Sequence, residues 1–186
     1  MTTTVLFIEH LITGFQAAVW ITLFVFSLFG FDWFDLDQIK GLETIAAILV
    51  VSVVYPLGVF IDNIADDIFK PWNRKIRNKY VRDESLSVRK LLITTKDETL
   101  ASYLGYVRTR IRISRSAALN FALITVASVI LTFTRLQAAL GSSFWKLTIF
   151  ELVVGPILTI IAIWSWFRIT QTFAKQVARG FEMISE

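Results

Sequence analysis

Three groupings of polar residues in this chain have a spacing that could do chemistry. The first is basic. Arg108, Arg112 and Arg115 share one helical face, with Arg110 between them and Tyr103 and Tyr106 just upstream. Guanidinium forks match phosphate and carboxylate geometry, and neighbouring aromatic rings can stack on a base. Arg74, Lys75 and Arg77 form a second basic cluster. This charge supports three readings: topological anchoring with contact to anionic lipid, pairing with an acidic helix face, or an anion site for a nucleotide or nucleic acid. The second grouping is Asp62 and Asp66, four apart and therefore on one face, which is the acidic face that could meet the arginines. The third is Glu151, on a stripe with Gly155 and Thr159, together with Asn120 and Ser128 in a separate apolar run. A carboxyl inside an apolar run faces a bundle interior, a partner or water. The stripe is therefore either a close-packing face or part of a polar ring around a pore. His10 is the one histidine and is expected at a membrane interface, so neither a metal site nor a Ser-His-Asp set can be assembled around it.

The elements that position these groups are read from apolar runs. Of the 186 residues 55% are hydrophobic and only 18% charged, too few for the surface of an ordinary soluble domain. Cysteine is absent, which removes disulfides and thiolate metal ligands. Apolar runs at about 11–31, 44–61, 116–134 and 147–167 each approach the ~20 residues that cross a bilayer core. The first has no basic leader or cleavage site and is expected to be a retained span. Pro56 predicts a kink in the second, and Pro71 with Trp72 a break after it. Within the connector, 83–92 suits a short amphipathic helix, and Thr95 with Glu98 has the form of a capping box. Residues 96–134, with no proline and one glycine, predict a single long helix. Gly141, Ser142 and Ser143 predict a turn. The tail, 168–186, is expected to be an amphipathic helix on the membrane surface.

Basic residues set the orientation. Between Lys70 and Arg115 lie 13 of the 19 Lys and Arg residues. With both termini and this connector on one side, that side carries 16, and only Lys40, Arg135 and Lys146 lie opposite. Basic loops remain cytosolic. The expectation is a single all-α integral membrane domain of four transmembrane helices, with both ends and the 62–115 connector cytosolic. Spans two and three extend as helices out of the membrane.

Gly58, Asp62 and Asp66 match the second half of the signature of the CDP-alcohol phosphotransferases, which the nine residues resemble. In that family the aspartates hold a divalent metal, so the resemblance implies a metal-dependent lipid-headgroup enzyme. The Asp pair and Ala-Arg step of the first half are missing from 45–55. In size and layout the chain also resembles the small four-span membrane effectors of bacterial antiviral defence systems. That resemblance implies an inner-membrane homo-oligomeric ion channel or pore, a tetramer by preference. Its gate would work through the basic cytosolic helices and a cytosolic protein partner, without catalysis or cofactor. The other expectation is a scaffold that recruits a cytosolic protein or nucleic acid to the membrane. In the channel reading, Asp62 and Asp66 with Arg108, Arg112 and Arg115 form the gating junction.

Overall fold

A computed structural model describes residues 3–31, 43–81 and 98–185, and every element in it is helical. The order is α1 (Thr3–Phe29), α2 (Glu43–Tyr80), α3 (Glu98–Leu131), a π-turn (Thr132–Leu136), the short α4 (Gln137–Leu140), a 3₁₀ turn (Gly141–Ser143) and α5 (Phe144–Ser185). Three helical stretches are long and apolar enough to cross a membrane: Leu6–Phe29, Ala47–Tyr80 and Glu98–Phe181. The third folds back on itself at Gly141, whose φ of +51° suits glycine. Thr132 then meets Glu151, and Tyr103 meets Gln176, so α3 and α5 lie antiparallel. The expected amphipathic helix at 83–92 and the Thr95 half of the capping box lie outside the described residues.

Helix α3 is the common wall of the bundle. It packs on α5 along one side and on α1 and α2 along the other. Val107, Ile111 and Ala118 of α3 share a core with Phe69 and Ile76 of α2 and with Ala162, Trp166 and Ala174 of α5. Two close approaches hold α1 on α2. A Cβ on Gly14 would lie 1.9 Å from the carbonyl oxygen of Val54, and one on Gly58 would lie 1.9 Å from that of His10. Small residues permit such backbone contact between apolar helices, where dispersion and weak polar contacts must replace the hydrophobic effect.

Two sequence expectations change here. Helix α2 does not break at Pro71, because it runs unbroken through Pro56 and Pro71 to Tyr80. Pro71 sits on an exposed face, where water can serve the carbonyl its ring leaves unpaired. Phe69 and Ile76 are buried seven residues apart and tie both sides of the proline to one core. The tail is not a separate surface helix either. It continues α5 and packs Ala174 into the main core and Val177 against Val81 and Leu104.

The π-turn has a visible purpose. It places Arg135 at the C-terminus of α1, where Nε donates to the Ser27 carbonyl at 3.1 Å and Nη2 to that of Leu28. Gly30, at φ +77°, closes the same helix end by donating its N–H to the Phe26 carbonyl at 2.9 Å. A cation on the terminal carbonyls also complements the helix dipole.

The α1–α2 contact should be intolerant of added volume. Gly14→Ala and Gly58→Ala are each expected to lower stability by ~1–3 kcal/mol, the usual cost of overpacking. Thermal unfolding of the purified chain in detergent would read this as a lowered midpoint, whereas Gly105→Ala, within helix α3, should leave the midpoint within a degree or two of wild type or raise it.

Candidate functional site

The main site grows out of the face that α3 turns toward α1 and α2. Arg115 is buried, and its guanidinium bridges two carboxylates one turn apart on α2. Nη2 donates to Asp62 Oδ1 at 2.8 Å and to the Asp62 carbonyl at 3.3 Å, while Nη1 donates to Asp66 Oδ1. Ser116 Oγ adds a bond to Asp62 Oδ1 at 3.3 Å. Arg112, one turn earlier, places Nε 3.2 Å from Asp62 Oδ2 and 3.8 Å from Glu9 Oε1. The structure thus brings together Asp62, Asp66, Arg112 and Arg115, and it adds Glu9 and Ser116. Glu9 is 3% exposed and also lies beside Thr109.

Further along α3 the same face stays polar. Asn120 is fully buried; Nδ2 donates to the Thr13 carbonyl at 3.1 Å and to Gln16 Oε1 at 3.3 Å. Its Oδ1 accepts from Trp20 Nε1 at 3.2 Å. Junction and amide clamp together stitch α1, α2 and α3 along about two turns.

Beside the junction opens a cleft of about 620 Å³ between α2, α3 and α5. Arg77, Arg108, Arg112 and Arg115 line it, against Asp62 and Asp66. Arg108 therefore lies beside the junction without an ion pair among the described residues. A second groove, of about 870 Å³, is apolar. It carries Trp72, Trp164 and Trp166, with Lys75 and Lys79 at one end.

The remaining sequence candidates are dispersed. Glu151 is turned into the α3–α5 interface and accepts from Thr132 Oγ1 at 2.9 Å. Gly155 faces Thr125, whose Oγ1 would lie 2.0 Å from an added Cβ. Thr159 and Ser128 direct their hydroxyls to the backbone carbonyls of Gly155 and Thr125. Tyr103 accepts a bond from Gln176 Nε2 at 2.7 Å. The Arg110 guanidinium lies over the Tyr106 ring, 5.8 Å from its centroid, and Arg74 is exposed. His10 is buried, with its ring edge-on to Tyr55 at 5.8 Å.

Chemically the arrangement holds charge. Asp62 and Asp66 are engaged by arginine, so a divalent cation at the Gly58–Asp62–Asp66 spacing would first have to displace Arg115. Among the described residues, no group of three or more His, Asp or Glu is placed to hold a metal ion. The chain matches no known protein family, no curated protein and no solved structure.

Glu9, Asn120 and Arg135 were not visible as partners in the sequence, because each looked like an isolated polar residue at the edge of an apolar run or within one. The one usable signal was periodic: Arg112, Arg115 and Ser116 continue to Asn120 on the face that the structure shows to be polar.

The junction predicts strong non-additivity. Arg115→Met or Asp62→Leu alone leaves a buried charge without its main partner and should cost ~3–5 kcal/mol. The double variant should recover a large part of that loss, because no uncompensated ion remains at the pair. A double-mutant cycle by chemical denaturation in detergent measures this coupling; simple additivity would show that the two residues do not act as a pair.

Proposed function

We propose that the chain is a four-span protein of the bacterial inner membrane that assembles into a homo-oligomeric channel or pore, gated through basic helices on its cytosolic side. On this reading α3 and α5 cross separately, and the termini and connector share the side that carries 16 of the 19 basic residues. The observation that carries the proposal is the continuity of α3. It runs without interruption from Glu98 past the ionic junction at Arg112–Ser116 to Leu131. A displacement at Tyr103–Arg108 cannot be absorbed by a loop and passes into the apolar half.

Within one chain the apolar halves of α3 and α5, and of α3 and α1, close on each other without leaving a path along their seam. Thr125 occupies the position facing Gly155, Thr132 binds Glu151, and Asn120 bridges to α1. A conducting path would therefore run between copies. The exposed apolar side chains of α2 and α5, such as Ile48, Val53, Phe150 and Ile161, would meet lipid or a neighbouring copy. A tetramer, a cytosolic protein that delivers the signal, and a role in antiviral defence complete the proposal at the level of layout.

Ion flux from liposomes carrying the purified chain tests it. Asp66 is half-exposed, and its pair with Arg115 contributes on the order of 1 kcal/mol. Asp66→Asn should therefore change the open fraction roughly fivefold. Glu151→Gln keeps an acceptor for Thr132 and should leave ion selectivity unchanged. Oligomers that never conduct, whether wild-type or variant, would end the channel reading.

A scaffold that recruits a cytosolic protein or nucleic acid is the second reading. It is favoured by Arg74, Lys75 and Arg110, which stand exposed and outside the ionic junction. It requires binding of such a partner at physiological salt by chains that show no flux.

A further inference from the structure

We infer that the cleft between α2, α3 and α5 is a binding site for a phosphoryl group, gripped by Arg77 from α2 and Arg108 from α3. Both arginines line the same cleft, and neither has an ion pair among the described residues. Arg112 and Arg115 stand beside them but are already engaged by Asp62 and Asp66. Counting Glu9 behind the cleft wall, three acids face four arginines. Arg77 and Arg108 are exposed at this cleft and keep their donors available, and a multiply charged oxyanion with several acceptor oxygens can take bonds from both.

Buried polar atoms point the same way. Thr170 of α5 lines the cleft, is 3% exposed, and its Oγ1 has no hydrogen-bond partner. Arg115 Nε is likewise buried without an acceptor. A buried polar group without a partner is costly, and a cluster of them beside free guanidinium groups describes a place waiting for acceptors. Asn73 supplies an amide at the rim, and Phe173 an aromatic wall. At about 620 Å³ the cleft exceeds the needs of a bare phosphate and lies within the range of small-molecule sites, so the phosphoryl group belongs to a larger molecule. That molecule is either a soluble phosphorylated compound or the headgroup of an anionic lipid. The site does not depend on the channel reading, since binding can be measured on a chain that never conducts.

The test uses the full chain in nanodiscs of zwitterionic phosphatidylcholine, at constant ionic strength. One arm titrates pyrophosphate and follows both the thermal unfolding midpoint and equilibrium dialysis of labelled pyrophosphate. The other replaces part of the phosphatidylcholine with phosphatidic acid and follows the midpoint. A saturable response is expected in at least one arm: pyrophosphate alone would identify a soluble ligand, phosphatidic acid alone a headgroup. The Arg77→Gln/Arg108→Gln variant should bind roughly tenfold more weakly or worse. Arg110→Gln, on the same helix but turned to Tyr106, should bind as wild type. No saturable response of the wild-type chain in either arm overturns the assignment, as does an equal response in the Arg77/Arg108 variant or an equal loss in Arg110→Gln.

Discussion

A guanidinium buried among helices sets the terms for the rest of the structure. Arg115 cannot shed its charge, so once α3 packs against α2 it must be met by carboxylates in the same layer. Asp62 and Asp66 meet that need from successive turns of α2. This demand fixes the register and rotation of α3 relative to α2. Removing one partner is expensive because the other is then left charged in a poorly solvating place. A junction of this kind therefore specifies one arrangement more than it adds net stability.

From that point the remaining contacts follow along α3. One helical turn past Ser116, Asn120 spends both ends of its amide on α1, which puts three helices in one register. The bare backbones at Gly14 and Gly58 let α1 and α2 come close enough for this to happen. On the far side of α3, Gly155 and Glu151 of α5 fit against Thr125 and Thr132. Asn120 and Glu151, polar groups within apolar stretches, thus each have a partner on another element, as a weakly solvating surrounding requires. The ends follow similar logic, with Arg135 seated on the carbonyls that α1 leaves open.

The cleft is a consequence of the same geometry. It opens between α2, α3 and α5, where Arg77, Arg108 and Thr170 lie beside the shared apolar core. Charge left over from the junction collects there. Around Thr125–Thr132 and Glu151–Thr159 the α3–α5 interface, in contrast, carries Gly155 and hydroxyls that bond within their own helices or to Glu151. The two ends of α3 therefore carry different chemistry: unspent cationic charge at one, close packing at the other.

Much of this was legible in the residues themselves. Hydrophobic periodicity and run length determined an all-helical chain with stretches able to cross a membrane, because backbone groups in an apolar medium must satisfy each other locally. The reversal at Gly141–Ser143 and the unbroken course of α3 followed from glycine and proline placement. Helical spacing also put Asp62 with Asp66 and Arg112 with Arg115 on defined faces. Tertiary structure alone decided what those faces meet. That Pro71 leaves α2 intact depends on Phe69 and Ile76 sharing one core, and that the tail extends α5 depends on Ala174 and Val177 finding α2 and α3. The partnership of Glu9, Asn120 and Arg135 with other helices spans about a hundred residues of chain. Local propensity carries no information across such distances, and only the packing of α3 and the π-turn against α1 brings these groups within reach of each other.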